Sequence, residues 1–446
     1  MNRASRRRTE APLVRERGDV SDTDSGPTGE PTDRPTREPV RDLADGSGAE
    51  AIDAAEIRRR VAELVAAHDP TTMSSVEFLG HRFDAGLAWV HFPVGCGGLG
   101  ASRALQQVIE SALIAAGAKA AGGYRNPIGL GMGAPTIAAH GSAQLRAELL
   151  RPLWTGEEIW CQLFSEPGAG SDLAGLATRA VREGDGDWIV NGQKVWTSLA
   201  HKARWAMLLA RTDPDLPKHQ GLTYFFLDMT SPGVEVRPLR QATGQAEFNE
   251  VFLTDVRIPD THRVGEVGQG WAVSNTTLMN ERVAIGGAAT AREADAIGAV
   301  ARMWRDRPEL RTPGLHDRLL RAWVECEVAR LGNERIRQQL AAGTPGPEGS
   351  AAKIAYARLN QDVTRLWLEL AGEEGLGYDE WAMRRSELGQ AALGARVPGY
   401  YYLRAKGNSI EGGTSEVLRN VIADRVLDLP REPRTDTKVP WKEMPR

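Results

Sequence analysis

Cysteine and histidine are scarce in this chain, three and eight among 446 residues. Cys96, Cys161 and Cys326 are widely spaced, form no CxxC pair and have no histidine at metal-ligand spacing. That argues against a disulfide framework and against any metal site, and leads to the expectation of a reduced, cytoplasmic protein. No stretch reaches the roughly 18 consecutive apolar residues of a membrane span. The basic start, Met1 to Arg8, is not followed by an apolar segment, so no secretory leader is expected. Charge of one sign is missing as well. Lys and Arg number 55 against 59 Asp and Glu, a net charge of −4, which provides no footprint for nucleic acid and no polybasic patch for a membrane. Residues 1–50 contain no aromatic side chain and are dense in Arg, Asp, Glu, Pro, Thr and Gly. Such a segment buries too little apolar surface to offset its ordering entropy and reads as a disordered tail.

What remains is long, with 41% hydrophobic residues in the whole chain, and predicts two or three packed subdomains. Over 51–155 the apolar residues recur at helical spacing, as in Ile57, Val61 and Leu64, or Leu105, Val108, Ile109 and Leu113. The pattern changes near Trp160. Trp188-Ile189-Val190, the turn dipeptide Asn191-Gly192 and Lys194-Val195-Trp196-Thr197 together read as a hairpin. Ala206 to Ala210, Leu222 to Leu227 and Val251 to Ile258 are further strand candidates, so 156–262 is expected to be an antiparallel β domain. Helical spacing returns over 263–429, with breaks at Pro308 to Pro313 and Gly343 to Gly349, and predicts a C-terminal bundle. Residues 430–446 are polar, Pro-rich and expected to be extended. The fold class is therefore α+β: an N-terminal helical domain, a middle antiparallel β domain and a C-terminal helical bundle.

Five segments carry an identification. Phe164-Ser165-Glu166-Pro167-Gly168-Ala169-Gly170-Ser171-Asp172 is followed by Asn191-Gly192-Gln193-Lys194-Val195-Trp196-Thr197-Ser198. Phe248 to Pro259, Asn126-Pro127-Ile128-Gly129 and Ser409-Ile410-Glu411-Gly412-Gly413-Thr414-Ser415-Glu416 add to them. In these segments the chain, over roughly 75–428, resembles the acyl-CoA dehydrogenase family, whose signatures follow one another along the chain as these segments do. The resemblance implies FAD as cofactor, an acyl-CoA as substrate, an electron-transfer flavoprotein or equivalent as acceptor, and a homodimer or homotetramer. It also implies that Phe164, Ser165, Gly170, Ser171, Trp196, Ser198 and Thr414 contact the flavin, and that Arg282 and Gly412 stand on the acyl-CoA side. Small residues suit close approach of backbone amides to a cofactor, and hydroxyls supply donors. An ordinary Gly-Ser turn, a core tryptophan and a plain helix cap are the bland readings of the same residues.

The chemistry needs a base for an α-proton. Glu281 shares a helical face with Leu278, Ala284, Ile285 and Ala288. A carboxylate on an apolar stripe is costly unless paired or functional, and burial raises its proton affinity toward what a general base requires. Glu411 is the alternative. Many family members carry the base just before the last helix, but aligned on Thr414 that position falls on Gly412; others carry it on the earlier helix, as Glu281-Arg282 does. One departure stands out. The R-x-x-F-G segment that many members use to hold FAD across a subunit boundary has no counterpart in Ala301 to Leu310. That departure keeps open a half-site or non-catalytic subunit completed by a sister chain, and because fold does not fix function a flavin oxidase or monooxygenase on the same fold is a further alternative.

Overall fold

The computed structural model describes residues 52–119, 126–286, 291–341, 348–378, 381–385, 396–430, 432–433 and 436–444, with the backbone alone for 282–286 and 340–341. The tail expected over 1–50 lies outside these residues. Helices α1 (Ala54–Ala67), α2 (Ser75–Asp84), α3 (Gln106–Ala115), α4 (Ala134–His140) and α5 (Ala143–Thr155) form the N-terminal layer. Their starts follow local capping chemistry. Asp53 accepts from the amides of Ala55 and Glu56, and Ser74 and Ser142 accept from Glu77 and Leu145. Gly156, at φ +78°, ends α5 in the left-handed region that favours glycine. A π-helical turn, Gly129–Gly133, leads directly into α4.

The middle third holds β1 (Trp160–Leu163), β2 (Arg179–Arg182), β3 (Trp188–Ser198), β4 (Trp205–Arg211), β5 (Leu222–Asp228), β6 (Val234–Pro238), β7 (Phe248–Ile258) and β8 (Arg263–Val264). They form one sheet in the order β6-β7-β3-β2-β4-β5-β8, with β1 on β4. Pairing is antiparallel except at β4, where β1 and β2 run parallel to it, which qualifies the all-antiparallel expectation. The expected hairpin at Asn191-Gly192 is not a turn. β3 runs straight through, and the dipeptide sits at a register shift against β7. There the Asn191 side chain pairs with the backbone N–H and the carboxylate of Asp255, itself at φ +48°. The side chain thus replaces a lost ladder pair, as a bulge requires.

β4 is buried along its whole length. Trp205, Met207 and Leu209 face a core shared with Ile137, Leu149 and Leu153 of the N-terminal helices. Ala206, Leu208 and Ala210 face a second core with Val190, Val251 and Val256 of β3 and β7. Alternate residues therefore serve different layers, and the sequence shows a continuous apolar run rather than an alternation. After β8 come α6 (Gly270–Gly286), α7 (Ala296–Asp306), α8 (Pro313–Ala341), α9 (Glu348–Gly375), α10 (Pro398–Ala405) and α11 (Ser415–Arg425). Ile297, Val300, Leu319, Val363, Leu366 and Trp367 bring α7, α8 and α9 together in their own core.

Candidate active site

The two glycine- and tryptophan-bearing signatures are joined by a buried ion pair. Lys194 on β3 is fully buried, and its ammonium donates three hydrogen bonds, to Glu166 Oε1 (2.9 Å), Phe164 O (3.0 Å) and Leu209 O (2.9 Å). Glu166 also accepts from the amides of Ala177 (2.7 Å) and Thr178 (2.9 Å). Burial pushes the Glu166 carboxyl up, but Lys194 and those amides outweigh it and hold it below the usual carboxylate range. A further bond, from Val195 N to Ser165 O (2.9 Å), fixes the register of the two segments. Asn249 on β7 donates to Thr197 O (3.0 Å), so the Trp196-Thr197-Ser198 strand end is held from both sides.

This welding leaves particular groups facing outward. Trp196 stands at φ +61° and is 56% exposed, edge-on to Phe248 at 5.9 Å. A bulky residue in the left-handed region costs conformational energy that surrounding contacts must sustain. Trp196 is therefore not the core residue of its bland reading. Phe164 is buried against Tyr224, and Ser165 and Ser198 are half-buried. Gly170 and Ser171 are exposed, and nothing lies within 4 Å of a Cβ built at Gly168 or Gly170. An exposed indole and a loop with accessible backbone are both suited to a flat aromatic ligand.

Glu281 lies on α6, half-buried. Seven, four and three residues earlier on the same face are Ser274 and Thr277, both fully buried, and Leu278, packed on the core. Thr277 anchors the helix: its Oγ1 pairs with Thr136 Oγ1 (2.9 Å) and Tyr224 OH (3.0 Å). Next to it, Thr276 Oγ1 pairs with His140 Nε2 (2.8 Å). One turn of α6 is thus tied to α4 and to β5. Of the other residues expected on Glu281's face, the side chains of Ala284, Ile285 and Ala288 lie outside the described residues, as does that of Arg282.

Glu411 is no solvated loop residue. Its carboxylate accepts from Arg404 Nη2 (3.0 Å) and Asn408 Nδ2 (2.6 Å). Arg404 also pairs with Glu247 at 2.9 Å and lies over the Phe248 ring at 5.7 Å. Burial pulls the Arg404 guanidinium down, but Glu411 and Glu247 more than offset it. Gly412 and Gly413 are both left-handed, at φ +62° and +90°. Thr414 caps α11, its Oγ1 accepting from Val417 N (3.1 Å), so its hydroxyl is engaged as the bland reading has it.

Sequence reasoning omits one group altogether. Lys353 of α9 is fully buried and donates to Gly413 O at 2.7 Å. Burial pulls the ammonium below the usual lysine range, opposed by Glu411, Glu281 and Glu416. The available signal was a lysine in line with Ala357 and Asn360 on one helical face. Asn360 continues the network, donating to Asn408 Oδ1 at 2.7 Å.

Models for the N-terminal, middle and C-terminal domains of acyl-CoA dehydrogenases match residues 49–157, 161–256 and 268–427. The acyl-CoA dehydrogenase FadE34 of Mycobacterium tuberculosis is 39% identical over 394 residues, 87% of this chain but 50% of that protein, so the chain spans half the length of this relative. The acyl-CoA dehydrogenase IpdE1 of the same organism is 37% identical over 310 residues, 67% of this chain and 74% of the relative. Among solved structures, the ChsE4-ChsE5 complex from Mycobacterium tuberculosis superposes with a TM-score of 0.62 at 27% identity, covering 85% of this chain and 97% of that one. The Tcur3481-Tcur3483 steroid ACAD gives 0.65 at 25% identity, covering 86% and 99%. With the joined signatures and the exposed Trp196 already in place, these matches make the chain a member of the acyl-CoA dehydrogenase family, whose enzymes are FAD-dependent oxidoreductases.

Proposed function

We propose that the protein oxidises the Cα–Cβ bond of an acyl-CoA thioester to the 2-enoyl-CoA, with Glu281 as the base. The observation that carries this is the placement of Glu281 in line with buried Ser274 and Thr277 on an anchored helix. Glu281 takes the α-proton as the Cα–H bond breaks. FAD, when bound by Phe164, Ser165, Gly170, Ser171, Trp196 and Ser198, supplies the acceptor for the β-hydride. Gly412, in the left-handed turn that Lys353 holds, presents its amide to the thioester carbonyl, and Arg282 stands on the acyl-CoA side. A donor at that oxygen stabilises the developing enolate. Glu411 is the weaker base because Arg404 and Asn408 already occupy its oxygens. Electrons leave to an electron-transfer flavoprotein or an equivalent acceptor.

The acyl group is bulky. A relative named as a steroid ACAD supports this, as does the glycine-rich π-helical turn Gly129–Gly133, which packs against the helix bearing Glu281. A second reading, that the cofactor site is completed by a sister chain, is favoured by two observations: the missing R-x-x-F-G segment, and relatives that are either a two-chain complex or a protein twice the matched length.

The test is anaerobic flavin bleaching by a panel of straight-chain, branched and ring-bearing acyl-CoAs. Glu281→Gln should slow bleaching by about a hundredfold to ten-thousandfold, with Glu411→Gln much milder. Bleaching of the Glu281→Gln protein at the original rate overturns the assignment. Protein that is colourless alone and takes up flavin only with a co-expressed sister chain establishes the second reading.

A further inference from the structure

The C-terminal segment lies on the sheet domain. Asp436 meets Lys218 Nζ at 2.7 Å. Lys218 is nearly buried, and the same ammonium donates to both oxygens of Asp172, each at 2.9 Å. Asp172 closes the signature that begins at Phe164 and precedes the single 3-10 turn Leu173–Gly175. The far end of that turn is held as well: Trp441 Nε1 donates to Gly175 O at 3.0 Å. Arg211 sits between. Its buried guanidinium lies under the Trp441 ring at 4.4 Å and donates to Ala174 O (2.6 Å) and Leu176 O (3.1 Å). Backbone bonds fasten the segment itself, from Trp441 N to Leu216 O (3.0 Å) and from Lys442 N to Pro214 O (3.1 Å). One stretch of chain thus grips both ends of the turn that follows Gly170 and Ser171.

We propose that Asp436–Glu443 is a strap that sets the conformation of the Gly170–Gly175 turn and thereby the affinity for FAD, with Asp436, Lys218 and Trp441 as positioning residues. The proposal rests on the flavin-binding reading of Gly170 and Ser171. Those two residues are exposed, and no atom would meet a Cβ at Gly170, so their backbone is held from its two ends, by the Glu166–Ala169 bridge before it and by the turn behind it. A preorganised loop binds without first losing conformational freedom, and that saving appears as affinity. Lys218 takes part through charge-assisted bonds at both ends, the stronger kind.

The experiment uses full-length protein stripped of flavin, in wild-type form and as Trp441→Ala, Trp441→Phe and Asp436→Asn. FAD dissociation constants are measured by fluorescence titration. Deuterium uptake over 170–176 is followed without FAD, beside the melting temperature. Trp441→Ala and Asp436→Asn should weaken FAD by about tenfold, as loss of one charge-assisted or buried hydrogen bond would. They should speed exchange in the turn and leave global melting nearly unchanged. Trp441→Phe, which keeps a smaller ring over Arg211 and loses the indole N–H, should fall between. FAD binding and turn exchange that match wild type in both Trp441→Ala and Asp436→Asn overturn the strap. So does weakened FAD binding that merely tracks a general loss of stability, with Trp441→Phe no better than Trp441→Ala. Wild-type protein that takes up no FAD either alone or with a co-expressed sister chain overturns the flavin reading instead, and the unchanged or faster exchange in the same variants separates the two failures.

Discussion

At the scale of single residues, two buried lysines organise the molecule. Lys194 has all three of its donors satisfied, so the pair with Glu166 has little slack. Removing one partner leaves a buried charge uncompensated, and Glu166→Gln or Lys194→Met should each cost about 3–5 kcal/mol in urea unfolding at neutral pH. Because the folded Glu166 carboxyl is held below its unfolded value, its contribution is fully present above about pH 4.3 and is lost as pH falls through the folded value. The Glu166→Gln protein should therefore show a flatter acid limb in a stability-versus-pH series. The negative charges of Glu411, Glu281 and Glu416 oppose the lowering of the Lys353 ammonium by burial, with Arg404 beside Glu411 as the neighbouring cation. Lys353→Met takes away positive charge near the base, which favours its protonated form. The acid limb of the bleaching-rate profile should move to higher pH, whereas a purely structural loss would lower the rate evenly across pH.

At the scale of elements, β3 shows how a strand tolerates an irregularity. A Cβ on Gly192 would lie 2.3 Å from Thr178 Oγ1 and 2.8 Å from Thr178 Cα on the neighbouring chain segment. Gly192→Ala should force β2 and β3 apart at a cost of about 1–3 kcal/mol, read as a lowered melting temperature. This is also where the sequence misled. Asn-Gly is a strong local turn signal, but here Asn191 bonds to Asp255, 64 residues away, and only the folded sheet reveals that partner. The strands with apolar runs, β4 and β5, were legible because burial on both faces needs continuous hydrophobic residues. Helix starts at Asp53, Ser74, Ser142 and Thr414 lie in local chemistry. Lys353 and Arg404 were not legible, since nothing within a few residues shows which carboxylates a helical cation will meet. The docking of Trp441 on Gly175, across 266 residues, was equally hidden.

At the scale of the whole molecule, α8 carries Leu320, Val324, Val328 and Leu331 exposed at helical spacing. Such a stripe on a long helix is suited to burial against another subunit of the same fold. Val324→Glu with Val328→Glu should convert an oligomer to monomers in sedimentation velocity, and flavin should be lost with it if a subunit boundary completes the cofactor site. The course of β4 has one more consequence. Its odd-numbered side chains belong to the helical layer and its even-numbered ones to the sheet stack. Three names for three regions describe ancestry, then, but not separable stability. Excising the first third would strip one flank of Trp205, Met207 and Leu209 and expose it to water, so the remainder would keep only one of the two cores that β4 serves.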